Sequence, residues 1–308
     1  MTQTVFIDGG AGTTGLEIAE RLAGRSEFEL VVLGEEQRKD ADARRAALND
    51  SDFAILCLPD DAARDAVAMI DEGSKTRVID ASTAHRVASG WIYGFPEIVG
   101  RQVLAGAQRV SNPGCYPTGF LALIAPLVRK KLLSRDWAFT VNAVSGYSGG
   151  GKALIGRFEE DTDISFMAYA LKLGHKHIPE MQQKAGLTHP PVFSPAVIPA
   201  FRGMVVEVPL ALEAMRAAAK PEEMRAALAE YYADSPVVHV ADEAPGELLI
   251  RKSDEPSDRL TLHVFSDEAG DQARLVAALD NLGKGASGAA VQSLNLMAGC
   301  KETAGLRV

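Results

Sequence analysis

Cysteine is scarce in this sequence, and long apolar runs and an excess of positive charge are absent from it. The 308 residues include three cysteines, Cys57, Cys115 and Cys300. An odd and widely spaced set excludes a disulfide framework and lacks the paired spacing of a structural zinc site. No segment approaches the ~18 consecutive apolar residues of a membrane span. The 32 Lys and Arg against 41 Asp and Glu give a formal charge of −9, which disfavours nucleic acid as a partner because phosphate binding requires clustered cations.

The remaining composition is that of a globular protein. Hydrophobic residues make up 47% of the chain, which is enough for a sizeable core, and the length favours about two domains. The first residues, MTQTVFIDGG, contain neither a basic leader nor an apolar secretory segment. We therefore expect a cytoplasmic protein with no membrane partner.

The first part of the chain alternates between short apolar runs and helical patterns. The run FAILCL at residues 53–58 is typical of a strand buried on both faces. The predicted strands are Val5–Asp8, Leu30–Leu33, Phe53–Leu58 and Arg77–Asp80, and the predicted helices between them include Leu16–Leu22 and Ala62–Ile70. This alternation predicts an α/β fold with a Rossmann-like, doubly wound parallel sheet.

After about residue 115 the pattern changes to alternating apolar runs separated by turns. The candidate strands are Phe139–Val144, Met204–Val208, Val237–Val240, Leu248–Ile250 and Leu260–Phe265. Helices are predicted at Gly119–Val128, Glu222–Tyr232 and Ala286–Met297. The sequence therefore predicts a second, α+β domain with a mixed or antiparallel sheet.

A glycine-rich turn follows the first predicted strand and opens a predicted helix. Its sequence, GAGTTG, matches G-x-G-x-x-G and supplies the candidate phosphate-binding residues Gly10, Gly12, Thr13, Thr14 and Gly15. The glycines let the backbone approach a pyrophosphate, and the helix N-terminus offers N–H donors and a positive dipole to that anion. We therefore favour a dinucleotide site over a purely structural turn.

The choice between NAD and NADP stays open on the residues alone. Glu35 lies 20 residues beyond Gly15, where a carboxylate can accept from a ribose 2′-hydroxyl and favour NAD. Arg38 and Lys39 follow at once, and two cations suit the 2′-phosphate of NADP. A solvated loop with a cluster of charges is the simpler alternative to both.

Cys115 differs from the other two cysteines because it lies in a turn-rich loop, SNPGCYPTG, just before an apolar helix. A helix N-terminus stabilises a thiolate and so favours a nucleophile at neutral pH. By contrast, Cys57 lies inside a predicted strand and Cys300 lies near the C-terminus, where structural roles are expected. A dinucleotide fold with a nucleophilic thiol suggests a thioester that exchanges hydride with a nicotinamide.

Such chemistry needs a general acid–base, and the segment HKHIPE offers His175 and His177. The two histidines are two residues apart, so on a strand they would share a face. Metal ligation and a surface-exposed basic loop are the alternatives, but no third ligand is nearby and we predict no metal site. His239 and His263 lie in strand patterns, which favours structural roles.

These residues together resemble a known family. The chain resembles the short-form N-acetyl-γ-glutamyl-phosphate reductases, which belong with the aspartate-semialdehyde dehydrogenases. The resemblance runs nearly from end to end. It rests on GGAGTTG (9–15), DASTAHR (80–86), YGFPE (93–97), SNPGCYPTG (111–119), SGYSGGGK (145–152), HKHIPE (175–180), FRG (201–203) and DNLGKGASGAAVQSLNLM (280–297).

The resemblance implies a role for each matching residue. Cys115 would be the acyl-accepting nucleophile, and one of His175 and His177 would be the acid–base while the other binds substrate. The cofactor implied is NADPH, which favours Arg38 and Lys39 over Glu35. Besides the glycine-rich turn, the implied cofactor contacts are Ser82 and Asn281. The implied substrate contacts are Asn112, Lys176, Glu180 and Arg202.

The resemblance also implies the domain division, the reaction and the oligomer. Residues 1–114 plus 284–308 would form the NADP-binding domain, and residues 115–283 the α+β domain for catalysis and oligomerisation. The implied reaction reduces a small acyl phosphate, N-acetyl-glutamyl phosphate, to its semialdehyde in arginine biosynthesis, in a homodimer or homotetramer. The alternatives are an aspartate-semialdehyde dehydrogenase, an aminoadipyl-phosphate reductase of lysine synthesis, and a nucleotide-sensing scaffold without catalysis.

Overall fold

The chain leaves its first structural unit at Gly114 and returns to it at Ala286. In the computed structural model, which describes residues 2–215, 218–243 and 245–308, the first unit combines the residues up to Gly114 with Ala286–Arg307. The second unit comprises Cys115–Gly285. The segment that contains Cys115 is thus the beginning of the second unit.

A parallel sheet forms the centre of the first unit. Its strands are β1 (Gln3–Asp8), β2 (Phe28–Val31), β3 (Phe53–Leu56), β4 (Arg77–Asp80), β5 (Ile92–Tyr93) and β6 (Arg109–Ser111). They lie in the order β2-β1-β3-β4-β6-β5, and all neighbouring pairs are parallel. The helices are α1 (Thr13–Leu22), α2 (Ala41–Asp50), α3 (Asp60–Ala68), α4 (Pro96–Val99), α5 (Arg101–Ala105) and the C-terminal helix Gly288–Ala298.

Both faces of this sheet are buried, which explains the continuous apolar runs of its strands. Val5 and Ile7 of β1 pack with Leu22 of α1 in one core cluster. Phe6, between them, faces the other side and packs with Leu48 of α2. Successive side chains of a strand point to opposite faces, so helices must cover both. The predicted Rossmann-like, doubly wound fold is confirmed.

A mixed sheet forms the second unit. Its strands are β7 (Thr140–Gly146), β8 (Met167–Ala168), β9 (Val192–Ile198), β10 (Met204–Ala211), β11 (Val238–Val240), β12 (Leu260–Ser266) and β13 (Gln272–Leu279). The order is β11-β12-β13-β10-β7-β9-β8, with β7–β9 and β11–β12 parallel and the other pairs antiparallel. The helices are α6 (Cys115–Arg129), α7 (Gly151–Glu160), α8 (Ile178–Ala185) and α9 (Pro221–Tyr231), and the C-terminal helix of the first unit is α10.

Helix α6 is the buried axis of the second unit. Its residues from Tyr116 to Leu127 are all buried, as expected of a helix that is apolar all round. Gly119 permits close packing on the sheet, because a Cβ there would lie 2.8 Å from Cγ2 of Val206 in β10. Cys115 is the first residue of this helix, so the packing of α6 also fixes the position of the thiol.

Several strand assignments differ from the sequence predictions, among them the short strands β5, β6 and β8, which were not predicted. The predicted strand Leu248–Ile250 is irregular. The side chain of Ile250 instead packs against Gly203, so closely that a Cβ on Gly203 would lie 2.6 Å from Cγ2 of Ile250. Strand β9 was not predicted because it contains Pro195, which usually interrupts a strand. Strand β13 was not predicted because its alanine-rich sequence QARLVAAL suits a helix, and pairing with β10 and β12 overrides that propensity.

The described residues include no membrane-spanning helix, no metal-binding cluster and no disulfide. No helix in residues 2–215, 218–243 and 245–308 has the length and apolar character needed to cross a bilayer. The same residues contain no group of three or more His, Cys, Asp or Glu side chains placed to hold a metal ion. The three cysteines, all within the described part of the chain, form no disulfide.

Candidate functional site

The glycine-rich turn lies between β1 and α1 of the first unit, and two of its glycines are required by close backbone packing. Gly9 has a φ of +84°, and a Cβ there would lie 2.3 Å from the carbonyl oxygen of Cys57. A Cβ on Gly15 would lie 2.7 Å from the carbonyl oxygen of Gly9 and 2.8 Å from Cα of Gly10. Side chains at these positions would displace the backbone of the turn itself.

Close backbone packing does not require glycine at positions 10 and 12. A Cβ on Gly10 would lie 3.5 Å from the nearest atom, and one on Gly12 would lie 3.4 Å from the carbonyl oxygen of Gly9. These are ordinary contact distances, so the fold itself tolerates a methyl group at either position. The missing Cβ atoms leave a surface on which a pyrophosphate can approach the backbone, which is the fit that a dinucleotide requires.

The start of α1 has the electrostatic character of an anion site. Helix α1 begins at Thr13, its N-cap is Gly12, and its first turn contains no acidic residue. Thr13 and Thr14 are half-buried. Since Gly12 has no side chain with which to cap the helix, the first-turn N–H groups keep their capacity to donate to a bound anion.

The residues predicted to distinguish NAD from NADP are exposed. Arg38 and Lys39 belong to a 3₁₀ turn, Gln37–Lys39, and Nη2 of Arg38 donates to Oε1 of Glu35 at 3.2 Å. The acidic and basic candidates are therefore partners of each other. Such an exposed ion pair contributes little to stability, so a 2′-phosphate can replace the carboxylate beside Arg38 at low cost.

Ser82 is held by a buried carboxylate at the end of β4. Oδ1 of Asp80 accepts from the backbone N–H of Ser82 at 2.9 Å, and Oδ2 accepts from its hydroxyl at 2.8 Å. Nδ1 of His85 lies 2.6 Å from the same Oδ2, and the His85 ring stacks on Trp91 with centroids 4.1 Å apart. Asp80, His85 and Trp91 were not among the predicted site residues, although DASTAHR contains the first two.

Asn112 is buried in the first unit. Its side-chain Nδ2 donates to the carbonyl oxygen of Ala286 at 3.0 Å, and its backbone N–H donates to Asp80 at 2.7 Å. Its Oδ1 has no hydrogen-bond partner among the described residues. The available atom is an acceptor, so it suits an N–H or O–H group of a ligand.

In the second unit, Cys115 adjoins the turn that follows β13. A Cβ on Gly285 would lie 3.0 Å from Cβ of Cys115 and 3.1 Å from the carbonyl oxygen of Asp280. Helix α6 has fifteen residues, and Cys115 is the first of them. The first-turn N–H groups and the positive end of the helix dipole at this terminus stabilise the thiolate form of a cysteine.

The two predicted histidines lie together beside the tyrosine that follows Cys115. The ring centroids of His175 and His177 are 4.6 Å apart, and the Tyr116 ring is 6.1 Å from the first and 5.8 Å from the second. His177 is buried and is the N-cap residue of α8. Nδ1 of His175 accepts from the backbone N–H of His177 at 3.1 Å. The nucleophile candidate Cys115 and the acid–base candidate His177 therefore lie at the N-terminal ends of two neighbouring helices, α6 and α8.

The neighbours of the histidines differ in exposure. Glu180, in the first turn of α8, is 1% exposed, whereas Lys176 is exposed. The carboxylate of Glu180 raises the pKa of Lys184, although burial of Lys184 lowers that pKa more strongly. Glu180 thus places a buried carboxyl group in the first turn of α8, the helix whose N-cap is His177.

Arg202 and Asn281 belong to a second cluster, around the end of β13. Nη1 of Arg202 donates to Oδ2 of Asp280 at 2.6 Å, and Nδ2 of Asn281 donates to the hydroxyl of Ser148 at 2.9 Å. Oδ1 of Asn281 is buried with no hydrogen-bond partner among the described residues. Asp280 also accepts from the backbone N–H groups of Ser257 and Leu282, so it fixes the turn and the guanidinium together.

The other two thiols have different surroundings. Burial, with the charges of Asp80 and Asp8 added, raises the pKa of Cys57 to about 12. Burial also raises the pKa of Cys300. Both thiols are therefore protonated at neutral pH and unsuited to nucleophilic attack.

Comparison with known proteins assigns both units. Residues 4–106 match a family model described as the NAD binding domain of semialdehyde dehydrogenases, and residues 115–281 match its dimerisation domain. A Trichormus variabilis protein named N-acetyl-gamma-glutamyl-phosphate reductase is 48% identical over 318 residues, covering 98% of each chain. Its counterparts from Rhizobium meliloti and Burkholderia cenocepacia are 48% and 47% identical and cover 96% and 98% of this chain and 99% of their own.

The chain belongs to the N-acetyl-gamma-glutamyl-phosphate reductase family.

Solved structures relate this reductase family to a wider fold group. An aspartate semialdehyde dehydrogenase II from Vibrio cholerae, complexed with ASA, has a TM-score of 0.70 at 16% identity and covers 96% of this chain and 98% of its own. The Candida albicans aspartate semialdehyde dehydrogenase with NADP has a TM-score of 0.68 at 16% identity, with coverage of 96% and 98%. At such identity the likeness shows the fold alone.

Proposed function

We propose that this chain catalyses the NADPH-dependent reduction of N-acetyl-L-glutamyl 5-phosphate to N-acetyl-L-glutamate 5-semialdehyde and phosphate, a step of arginine biosynthesis. The observation that carries the proposal is Cys115, the first residue of α6, in a unit where His175 and His177 lie beside Tyr116. The names of the 46–48% identical relatives support the same reaction.

The first unit would hold the cofactor. Gly10 and Gly12, where the fold has room for a Cβ, would admit the pyrophosphate to the N-terminus of α1. Arg38 and Lys39 would bind the 2′-phosphate after Arg38 exchanges Glu35 for it. When bound, NADPH supplies the hydride that takes the acyl group from the thioester to the aldehyde level.

The covalent steps take place on the sulfur of Cys115. The thiolate attacks the γ-acyl carbon, the C–O bond to phosphate breaks, and phosphate leaves with that electron pair. This gives a thioester, and its reduction gives a thiohemiacetal oxyanion. The C–S bond of the thiohemiacetal then breaks, which releases the aldehyde and regenerates the thiolate that the α6 N-terminus stabilises.

We assign the proton transfers to His177. Nδ1 of His175 accepts the backbone N–H of His177 and Nε2 lies 3.4 Å from the Tyr169 hydroxyl, so His175 must give up a hydrogen bond before it can accept a proton. His177 would take the thiol proton from Cys115 before attack, would donate it to the thiohemiacetal oxyanion, and would take it back as the C–S bond breaks. His175 would orient the ring of His177 from 4.6 Å away.

The substrate carries a carboxylate, an amide and a phosphate, and three residues provide matching groups. Arg202 can donate to the carboxylate, since a guanidinium pairs well with such a group. Its existing partner, Asp280, holds it in place at 2.6 Å. The exposed Lys176 would attract the phosphate, and the buried carboxylate of Glu180 would accept from the acetamido N–H.

We also propose that the protein works as a homodimer or homotetramer. The second unit matches a domain described as a dimerisation domain. The face of the sheet opposite α6 has a groove of about 470 Å³ that contains Val205, Phe265 and the exposed Arg274–Glu207 pair. A second copy of this chain is the occupant that we propose for that face, and the mass in solution measures how many copies assemble.

The reaction is tested in reverse. Purified protein is given N-acetyl-glutamate semialdehyde, phosphate and NADP, and the NADPH formed is followed by absorbance. We expect NADP reduction that depends on phosphate and is far slower with aspartate semialdehyde or aminoadipate semialdehyde. Faster turnover with either of these would assign the chain to that other reaction, and no phosphate-dependent turnover with any would favour a protein that only senses nucleotide.

A further inference from the structure

The hydroxyl of Tyr169 connects His175 with the tyrosine that follows the nucleophile. Oη of Tyr169 lies 3.4 Å from Nε2 of His175 and donates to Oη of Tyr116 at 3.2 Å. Oη of Tyr116 in turn donates to the carbonyl oxygen of Ala196 at 3.4 Å. The three side chains therefore form a hydrogen-bonded row that ends on the backbone of β9.

The two ends of this row fix the direction of every hydrogen bond in it. A carbonyl oxygen only accepts, so Tyr116 must donate to Ala196 and accept from Tyr169. At the other end, Nδ1 of His175 accepts the backbone N–H of His177 and so carries no proton. The neutral imidazole of His175 then has its proton on Nε2, and this N–H faces the oxygen of Tyr169. All the hydrogen bonds of the row can form with the Nε2–H tautomer of His175 and not with the Nδ1–H tautomer.

Both phenols keep their protons over the working pH range. Burial, with the nearby charges of Tyr169 and Cys115 added, raises the pKa of Tyr116. Burial raises the pKa of Tyr169 to about 12, and the charge of Cys115 adds to the effect while the hydrogen bond to Tyr116 opposes it. The row is therefore a permanent feature at neutral pH, and it lies close enough to Cys115 to sense the charge of its thiolate.

Ring packing holds the same group from the sides. The His175 ring is perpendicular to that of Phe193, with centroids 5.1 Å apart, and the Tyr116 ring is also 5.1 Å from Phe193. Packing of this kind limits ring tilt but does not choose between the two ring nitrogens. Only the hydrogen bonds to Tyr169 and to the His177 backbone distinguish them.

We propose that Tyr169 is a positioning residue that, through Tyr116, fixes the orientation and the Nε2–H tautomer of His175. Its effect on turnover rests on the proposed function, because His175 orients His177 in that mechanism. Its effect on the tautomer does not, because the tautomer is a property of the protein without substrate.

The test compares Tyr169→Phe with the unaltered protein, because this change removes one oxygen and keeps the ring. The tautomer of each histidine is read from the ring ¹⁵N chemical shifts of ¹⁵N-histidine-labelled protein without ligands, and His175→Gln assigns the His175 signals. We expect unaltered His175 to show an unprotonated Nδ1 and a protonated Nε2. In Tyr169→Phe the two shifts should move towards each other as the second tautomer becomes populated.

Kinetics provide the second readout. A lost neutral hydrogen bond should lower kcat by about five- to ten-fold, with KM for the acyl phosphate changed less than about two-fold. Tyr232→Phe is the matched control, because Tyr232 is also buried in the second unit and donates to a backbone carbonyl, that of Ala122, at 2.9 Å. It should leave both the ¹⁵N shifts of His175 and kcat unchanged.

Unchanged His175 shifts in Tyr169→Phe would overturn the proposal, whatever the activity. If that variant does not fold, Tyr116→Phe tests the same row from its other end and should move the same signals in the same direction. Altered shifts in a protein without phosphate-dependent reductase activity would support the positioning role and refute the proposed function. The two proposals can therefore fail separately.

Discussion

Replacing Gly12 by alanine separates the binding role of the glycine-rich turn from its folding role. Gly12 has extended backbone angles, φ −79° and ψ 163°, which alanine adopts without strain, and the added Cβ would meet only ordinary contacts at 3.4 and 4.0 Å. Alanine is a poorer N-cap than glycine, so we expect a loss of about 1 kcal/mol or less in the free energy of unfolding.

The same methyl group would keep a pyrophosphate away from the N–H groups at the start of α1. Each hydrogen bond to a charged group contributes about 1.5–3 kcal/mol. Loss of one such bond, or partial loss of two, therefore costs about 2–4 kcal/mol, which raises Kd for NADPH by about thirty-fold to several-hundred-fold. Quenching of protein fluorescence or titration calorimetry measures this Kd directly.

Gly15→Ala is the matched control for that experiment. Its Cβ would lie 2.7 Å from the carbonyl oxygen of Gly9, so the turn must shift and the thermal midpoint should fall more than in Gly12→Ala, by an overpacking cost of about 1–3 kcal/mol. An unchanged Kd for NADPH in Gly12→Ala, with the fold intact, would refute the assignment of this turn to the pyrophosphate.

Three further predictions concern the cofactor, the thiols and the pH dependence of stability. Arg38→Ala should raise KM for NADPH about ten-fold and leave that for NADH unchanged, as steady-state kinetics measure; an equal effect on both would remove the 2′-phosphate from the explanation. Iodoacetamide at pH 8 should alkylate Cys115 with protection by substrate, whereas Cys57, with a pKa of about 12, is thiolate in only about one molecule in ten thousand and should stay unmodified in peptide mass spectra. Burial, with a smaller effect of His239, lowers the pKa of His263, so the unfolded chain binds this proton first and stability falls as the pH drops below about 6.5. His263→Gln should reduce that fall, measured as urea midpoints at pH 7.5 and 5.5, and an unchanged pH dependence would contradict this account.

Sequence patterns predicted the first unit well because its signals are local. The first four residues of the predicted strand 53–58 form β3 and are all buried, and the GAGTTG segment leads from β1 into α1. A parallel, doubly wound sheet then follows from the alternation of strands and helices along the chain. Cys115 was expected in a loop before a helix; it is the first residue of α6, which begins four residues earlier than the predicted Gly119.

The remaining features depend on residues that are distant in sequence. Tyr169 lies 53 positions from Tyr116, and Arg202 lies 78 positions from Asp280. No spacing rule connects such pairs, since only the folded sheet brings β9, β10 and β13 to α6. Strand β13 was missed for the same reason, because its alanine-rich sequence becomes a strand through its two neighbours.

Mass spectrometry of the acylated enzyme tests whether the acyl group passes through a thioester on Cys115. The protein is incubated with N-acetyl-glutamyl phosphate without NADPH, quenched in acid and digested. We expect an N-acetyl-glutamyl group on the peptide that contains Cys115, released by hydroxylamine and absent from Cys115→Ser, which should still fold and bind NADPH. An unmodified Cys115, or a Cys115→Ser variant that retains substantial turnover, would contradict the thioester intermediate.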